Sequence, residues 1–278
     1  MKIGYSTWGM PLEDVAKAIP RLAAMGYRGI EFTVLKEYST SLETLDAGRR
    51  SQIRDLLGAH GLELAAIAAH SSLAHSDPAL HAANMWRLEG AVRLAAELDP
   101  ESPPPINTTT GGRPEEWDAL KGLLVERLGR FCEFAGSMGV KVALEPHVGG
   151  ALDLPGKTLW LLDRVGSPHL KVNCDYSHFL AQGLSPEETV PQLAPHSVHT
   201  HVKGVHGVTP DFQFVTPGED DFDYANYFRV IENAGYRGFH TLEVSKHVQA
   251  RPGYEPFSHA QLGYDTLTRA YAAAGLKS

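Results

Sequence analysis

The chain has 278 residues, 43% of them hydrophobic, which is enough to bury one core of barrel size and makes a single domain over residues 1–278 the expectation. Its formal net charge of −8 opposes a sequence-independent grip on nucleic acid or on an anionic membrane, both of which need clustered Lys and Arg. A small-molecule ligand fits that balance better.

Short apolar or β-branched runs alternate with stretches of helical period from one end to the other. KIGYSTW near 2–8 reads as the first strand. A helix from Leu12 follows, with Leu12, Val15, Ala16, Ile19, Leu22 and Ala23 on one face and Gly26 closing it. The second strand falls near 28–33, and a helix over 42–60 stops at Gly61. The third strand, ELAAIAAH, spans 63–70 and leads into a helix over 78–98. Prolines at 103–105 forbid a central strand there and leave 106–110 for the fourth.

From 114 to 138 Trp117, Leu120, Leu124, Leu128, Phe131 and Phe134 recur at helical spacing before Gly139. The rhythm continues with strand 5 at 140–146, a helix at 157–165, strand 6 at 170–175, a helix at 186–193 and strand 7 at 197–203. A longer loop precedes a helix near 222–234; strand 8 at 239–244 and a last helix at 258–274 complete eight units. Eight strand–helix units predict an α/β fold of the (β/α)8 TIM-barrel type. A doubly wound open sheet would show a glycine-rich phosphate loop after strand 1, where this chain reads STWGMPLED.

Cys132 lies in an apolar helical pattern and Cys174 in an apolar strand, which suits buried packing in a reducing compartment. Met1 leads directly into KIGYSTW, and no segment offers the roughly 18 uncharged apolar residues that a membrane span needs. A soluble, cytoplasmic protein is the expectation.

Four strand ends in succession carry a metal-ligand residue: Glu145 in VALEPH, Asp175 in KVNCDYSH, His201 in VHTHVKG and Glu243 in HTLEVS. In a barrel the C-terminal strand ends converge on one mouth, so these residues meet. Alternation along the strands puts His199, His201 and Lys203 on one face, Ala143, Glu145 and His147 on another, and Thr241, Glu243 and Ser245 inside, with Leu242 and Val244 toward the helices. Inward carboxylates cost several kcal/mol unless paired or metal-bound. Carboxylate plus imidazole donors suit one divalent ion, Mn²⁺ first, with Mg²⁺, Co²⁺ or Zn²⁺ also compatible. The bland alternative is a salt bridge to Lys141, Lys171 or Lys203.

The pieces LEPH at 144–147, DYSH at 175–178, HTHVKG at 199–204, PGEDDFDY at 217–224 and GYRGFHTLEV at 235–244 resemble the xylose isomerase-like TIM barrels, a superfamily of sugar isomerases and epimerases. The resemblance covers nearly the whole chain. It implies Glu145, Asp175, His201 and Glu243 as metal ligands, Glu145 and Glu243 as the groups that exchange a proton on opposite faces of a ketose through an enediolate, and His178 as a substrate contact. Where ketose epimerases carry an arginine shortly after the strand 7 histidine, this chain has Lys203 followed by Gly204: either Lys203 takes that role or the preferred substrate lacks the group that the arginine binds.

His147 at the rim is read as a substrate contact, and Trp8 with His70 as a wall against the apolar face of a sugar ring. Glu31 faces inward and orients a neighbour; His199 either supports a ligand or packs. A leaving group beta to the enediolate would turn the same chemistry into a dehydratase or lyase, the runner-up. An endonuclease IV-like nuclease is disfavoured, since strand 4 reads INTTTGG without histidine and the loop after strand 7 has Asp211 and Gln213 in place of an Asp-x-His pair. A non-catalytic sugar-binding barrel is a further alternative. The loops at 207–221 and 245–257 are placed to shape the substrate entrance, where the partner of a homo-oligomer would cover them.

Overall fold

The computed structural model describes residues 2–276. In the first half β1 (Ile3–Ser6), β2 (Gly29–Thr33), β3 (Glu63–Ala68) and β4 (Ile106–Thr108) alternate with α1 (Val15–Met25), α2 (Ala47–His60), α3 (Pro78–Leu98) and α4 (Trp117–Ser137). The second half runs β5 (Val142–Leu144), α5 (Pro155–Val165), β6 (Leu170–Asn173), α6 (Tyr176–Leu180), α7 (Pro186–Leu193), β7 (Ser197–His199) and β8 (His201–Val202). It continues with β9 (Gly204–His206), β10 (Gln213–Val215), α8 (Tyr224–Asn233), β11 (His240–Leu242), α9 (Lys246–Gln249) and α10 (Pro256–Ala273).

The main sheet is parallel throughout, in the order β7-β6-β5-β4-β3-β2-β1-β11-β8. Its two end strands are consecutive in the chain, joined by Thr200. The ring therefore closes through the backbone itself: the Thr200 carbonyl accepts from the Thr241 N–H at 3.1 Å. This is the eight-unit TIM barrel that the alternation of apolar runs predicts.

Strand 7 differs from the expected continuous run over 197–203. The register against β6 shifts between Val172 and Asn173, which pair with Ser197 and His199, so Val198 is an extra residue. Such a bulge bends a strand and re-aims its side chains. Beyond it the chain leaves β6 and pairs with β11, His201 opposite Thr241. Lys203 then falls outside the strand, and β9 and β10 form an antiparallel hairpin that no periodicity announces.

Two helix starts also move. Asp14 caps α1 by accepting from Ala16 N–H at 2.9 Å, so the helix begins at Val15, and Leu12, expected on its buried face, lies ahead of the cap and is 94% exposed. Asp46 likewise caps α2 through Arg49 N–H at 2.7 Å, which leaves 42–46 as turn. At its other end α1 stops where Gly26 adopts φ 108°, a left-handed turn that glycine takes without strain.

Outward side chains pack the helices onto the barrel. Leu124, Leu128, Phe131 and Cys132 of α4 are fully buried, each side chain of this size contributing about 1.5–3 kcal/mol by burial. Leu242 faces α10, where a Cβ on Gly263 would come within 2.4 Å of its Cδ2. Burial pushes the thiols of Cys132 and Cys174 up to about 12, which leaves both as packing groups. Among the described residues no helix is long and apolar enough to cross a membrane.

Candidate active site

One ligand atom from each of Glu145, Asp175, His201 and Glu243 lies within 4.8 Å of the others, and all four residues are buried. Barrel geometry accounts for the convergence. Glu145 follows β5 and its N–H donates to Thr108 of β4 at 2.9 Å; Glu243 follows β11 and its N–H donates to Val202 of β8 at 3.1 Å. Asp175 is the N-cap of α6: Oδ1 accepts from Ser177 N–H at 2.9 Å, leaving Oδ2 to face the cluster. Its cap role and its place in the cluster are thus carried by different oxygens.

His201 is the hub. Nδ1 lies 3.0 Å from Glu145 Oε1 and 3.5 Å from Glu243 Oε2, while Nε2 lies 3.0 and 3.1 Å from the two oxygens of Glu31. Beneath it Glu31 also accepts from Ser6 Oγ at 2.6 Å and lies 3.1 Å from His199 Nε2. Glu31 and His199 therefore hold the back of the ring, as the sequence reading expects of an orienting group. Burial disfavours an imidazolium, but Glu31, Glu243 and Glu145 outweigh it and raise the His201 pKa well above its usual value. Burial would likewise raise Glu145, yet the positive field of His201 brings it down to about 2.

Lys203 Nζ lies 2.9 Å from Asp175 Oδ2 and also donates to Glu243, so the internal salt bridge is realised for this lysine. Lys141 and Lys171 make no ion pair among the described residues. Burial acts against the ammonium, but Asp175 and Glu243 more than offset it and raise its pKa. Asp175 is raised, chiefly by burial. Four buried carboxylates, Glu31 included, thus face one ammonium, with the imidazoles of His201, His199 and His178 beside them, an acidic excess in a buried cluster. An oxygen-rich donor set with one imidazole and no thiolate is what a hard or borderline divalent cation takes. The residues present fit such an ion.

Above the cluster opens a cavity of about 510 Å³. Glu145 and Glu243 line it; Asp175 and His201 do not. His178, fully buried, places Nε2 3.6 Å from Asp175 Oδ2 and 3.8 Å from Glu145 Oε1, and neither ring nitrogen has a hydrogen-bond partner. Burial first, then neighbouring His147 and Lys203, hold its pKa well below the usual value. The His147 ring sits over it at 3.8 Å, with Nδ1 donating to the Val148 carbonyl at 2.7 Å.

On the other wall Trp8 stacks on Tyr38 at 6.1 Å and meets His70 edge-on at 5.1 Å, and His70 Nδ1 lies 3.9 Å from Glu145 Oε2. The structure thus brings Trp8, His70, His147, His178 and Lys203 to one cavity with the two glutamates. Sequence reasoning misses Phe214, Lys246 and His247, which also line it. Phe214 belongs to β10 and the other two to the short α9, both within the loops expected at the entrance. A glycine pair closes the rim at Gly111 and Gly112; a Cβ on Gly111, at φ 71°, would fall 2.1 Å from Ser72 Oγ.

The fold and this cluster define a class, and comparison with known proteins places the chain in it. Residues 19–263 match the family model described as xylose isomerase-like TIM barrel, and the chain belongs to that family. Among curated relatives it is 25% identical over 188 residues to the rhizopine catabolism protein MocC of Rhizobium meliloti, covering 62% of this chain and 55% of that protein. It is 35% identical over 81 residues, 29% of each chain, to 3-dehydroshikimate dehydratase of Bacillus anthracis. Fructoselysine 3-epimerase of Shigella flexneri is 23% identical over 252 residues, 88% of this chain and 90% of that one.

The chain thus spans about half or less of the first two relatives. Among solved structures, the probable 3-DHS dehydratase of Bacillus anthracis superposes with a TM-score of 0.79 at 19% identity, covering 96% of this chain and 99% of that one. A D-tagatose 3-epimerase-like protein gives 0.79 at 17%, covering 99% and 98%. A xylose isomerase-like TIM barrel protein from Mycobacterium smegmatis, in complex with magnesium, gives 0.73 at 16%, covering 98% and 97%. At these identities the likeness speaks for the fold.

Proposed function

We propose that this protein is a divalent-metal-dependent isomerase or epimerase acting on a ketose or related keto-sugar through an enediolate. One observation carries the reading: of the four clustered donors, only Glu145 and Glu243 also line the cavity. Asp175 and His201 would serve purely as ligands, while the two glutamates would hold the ion and face the substrate from β5 and β11. When bound, the ion would polarise a carbonyl and its neighbouring hydroxyl and so lower the pKa of the C–H between them. A carboxylate within hydrogen-bond reach is then basic enough to take that proton.

Each step uses this chain's own groups. One glutamate removes the proton from one face of the carbon, and the other returns it from the opposite face, which inverts the centre. Lys203, placed between Asp175 and Glu243, would keep the charge on these carboxylates compensated and contact the oxygen on which charge develops. Trp8 and Phe214 would take the apolar face of the sugar, and His70 and His178 its hydroxyls. The magnesium complex of the Mycobacterium smegmatis protein and the fructoselysine 3-epimerase relative support the reading.

Incubation with Mn²⁺ and a panel of ketoses, inososes and 3-keto-glycosides in D₂O tests it. Deuterium should enter the carbon alpha to the carbonyl with the skeleton retained, and Glu243→Gln should abolish this while leaving the barrel folded. Absence of exchange with every substrate and metal would end the proposal. The lyase reading is favoured by one observation, the 35% identity to a dehydratase over 81 residues. Loss of water or of an alcohol in the same panel would decide for it.

A further inference from the structure

The outer part of the same cavity shows what a substrate must carry away from its reacting carbons; this inference rests on the reading above that the cavity takes a keto-sugar. Two cations line the cavity, Lys203 and Lys246. Lys203 is committed to Asp175 and Glu243. Lys246 is not: among the described residues its Nζ has no carboxylate in ion-pair reach, and its charged contact is the face of Trp8, 4.9 Å from the ring centre. An ammonium held over an indole at the rim keeps its donors for a ligand.

The next residue, His247, has its proton placed by the backbone. Its Nδ1 accepts from the Phe214 N–H at 3.1 Å, and an amide can only donate, so the ring proton sits on Nε2. His247 is therefore a donor at the cavity edge. Its ring stacks on Phe214 at 5.6 Å, which in turn meets His178 edge-on at 5.1 Å. Lys246 thus ends the wall that runs from Glu145 through His70 and Trp8, and His247 ends the opposite wall. The two residues are neighbours at the start of α9, and both line the cavity.

At α9 the rim offers two donor groups, one of them charged, and the cavity is lined by no carboxylate beyond Glu145 and Glu243 below. We infer that Lys246 and His247 form a carboxylate subsite, and that the preferred substrate is a keto-sugar acid whose carboxylate lies at the end remote from the metal cluster. One formal positive charge beside a neutral donor balances a carboxylate monoanion, whereas a phosphate dianion calls for further positive charge. A carboxylate end would add an ion pair to this exposed ammonium, which a neutral hydroxymethyl end would not.

The test is equilibrium binding to the full-length, Mn²⁺-loaded protein of three probes that differ only at carbon 6: fructose, fructuronate and fructose 6-phosphate. Fructuronate should bind tightest. Lys246→Met, which keeps the stem over Trp8, should lower affinity for fructuronate about tenfold or more relative to fructose, the size of one charge-assisted hydrogen bond. His247→Asn, whose Oδ1 can still accept from Phe214, should do the same more weakly. The inference is overturned if fructose or fructose 6-phosphate binds as tightly, if none of the three binds, or if both variants leave the preference intact. Because binding is read apart from turnover, exchange in D₂O without this preference would sink the subsite alone, and the preference without exchange would sink the isomerase reading alone.

Discussion

His201 and Glu31 are joined back to back: the ring's Nε2 lies 3.0 and 3.1 Å from the two carboxylate oxygens, while Nδ1 on the far side faces Glu145. With an ion bound, Glu31 would hold the Nε2 proton and so leave the Nδ1 lone pair to the ligand cluster. Glu31→Gln would keep one accepting oxygen but remove the charge behind it. Metal affinity measured by titration calorimetry should fall about 10- to 100-fold in this variant, the usual loss on removing a carboxylate behind a ligating imidazole. Unchanged affinity would show that Glu31 plays no part in orienting His201.

Metal binding should also appear as stability. An ion that binds the folded chain alone at about a hundredfold excess over its dissociation constant adds about 2.7 kcal/mol, which for a chain of this size raises Tm by roughly 5 °C. Asp175→Asn separates the two oxygens of this residue. The Asn Oδ1 can still cap α6 through Ser177 N–H, so the fold should persist while the negative donor is lost. Thermal melts with Mn²⁺ and with a chelator should differ for the wild type and coincide for the variant. A full Mn²⁺ shift in Asp175→Asn would remove this residue from the ligand set.

How much of this is legible in the sequence follows from where each residue sits. Glu145 and Glu243 stand at the ends of apolar strands, and a barrel brings such ends together whatever its loops do, so their meeting can be read from the chain alone. Asp175 is legible for the same reason, although it lies beyond the strand and caps a helix. Strand 7 is not read correctly, because the bulge at Val198 depends on how β7 fits β6 and leaves no mark in the apolar pattern. Phe214, Lys246 and His247 escape for a different reason: a three-residue strand and a four-residue helix are too short for any period to show. The expected helix face beginning at Leu12 fails because the cap at Asp14 outranks an apolar residue two positions earlier.

His240 at the start of β11 should make the protein acid-sensitive for a reason unconnected with the cluster. Its ring is enclosed by Tyr227, Phe228 and Tyr236 at centroid distances of 6.1, 4.9 and 5.6 Å, and burial pushes its pKa down to about 3. The unfolded value is about 6.5, so the unfolded chain binds the extra proton between these limits and stability is lost as pH falls from about 6.5 toward 3. Above about 6.5 the contribution is fully present. In urea melts of chelator-treated protein at pH 7 and pH 4.5, the wild type should lose about 2–3 kcal/mol more than His240→Phe. Parallel losses in the two proteins would show that this histidine is not held neutral.

Two glycine substitutions in helices should move stability in opposite directions. Gly263 of α10 lies against Leu242, and an added Cβ would stand 2.4 Å from Leu242 Cδ2, well inside contact distance. Alanine there gains roughly 0.5–1 kcal/mol of helix preference and meets an overpacking cost of about 1–3 kcal/mol, so Gly263→Ala should destabilise by about 1–2 kcal/mol. Glu243 follows Leu242, so a shift of β11 to relieve the contact would also lower metal affinity. Gly122 of α4 has nothing within 4 Å of the same added atom, so Gly122→Ala should stabilise by about 0.5–1 kcal/mol and leave metal affinity unchanged. Denaturant unfolding of the pair, with metal titrations alongside, checks both. A stabilised Gly263→Ala with normal metal affinity would mean that α10 does not press on β11 as closely as the barrel places it.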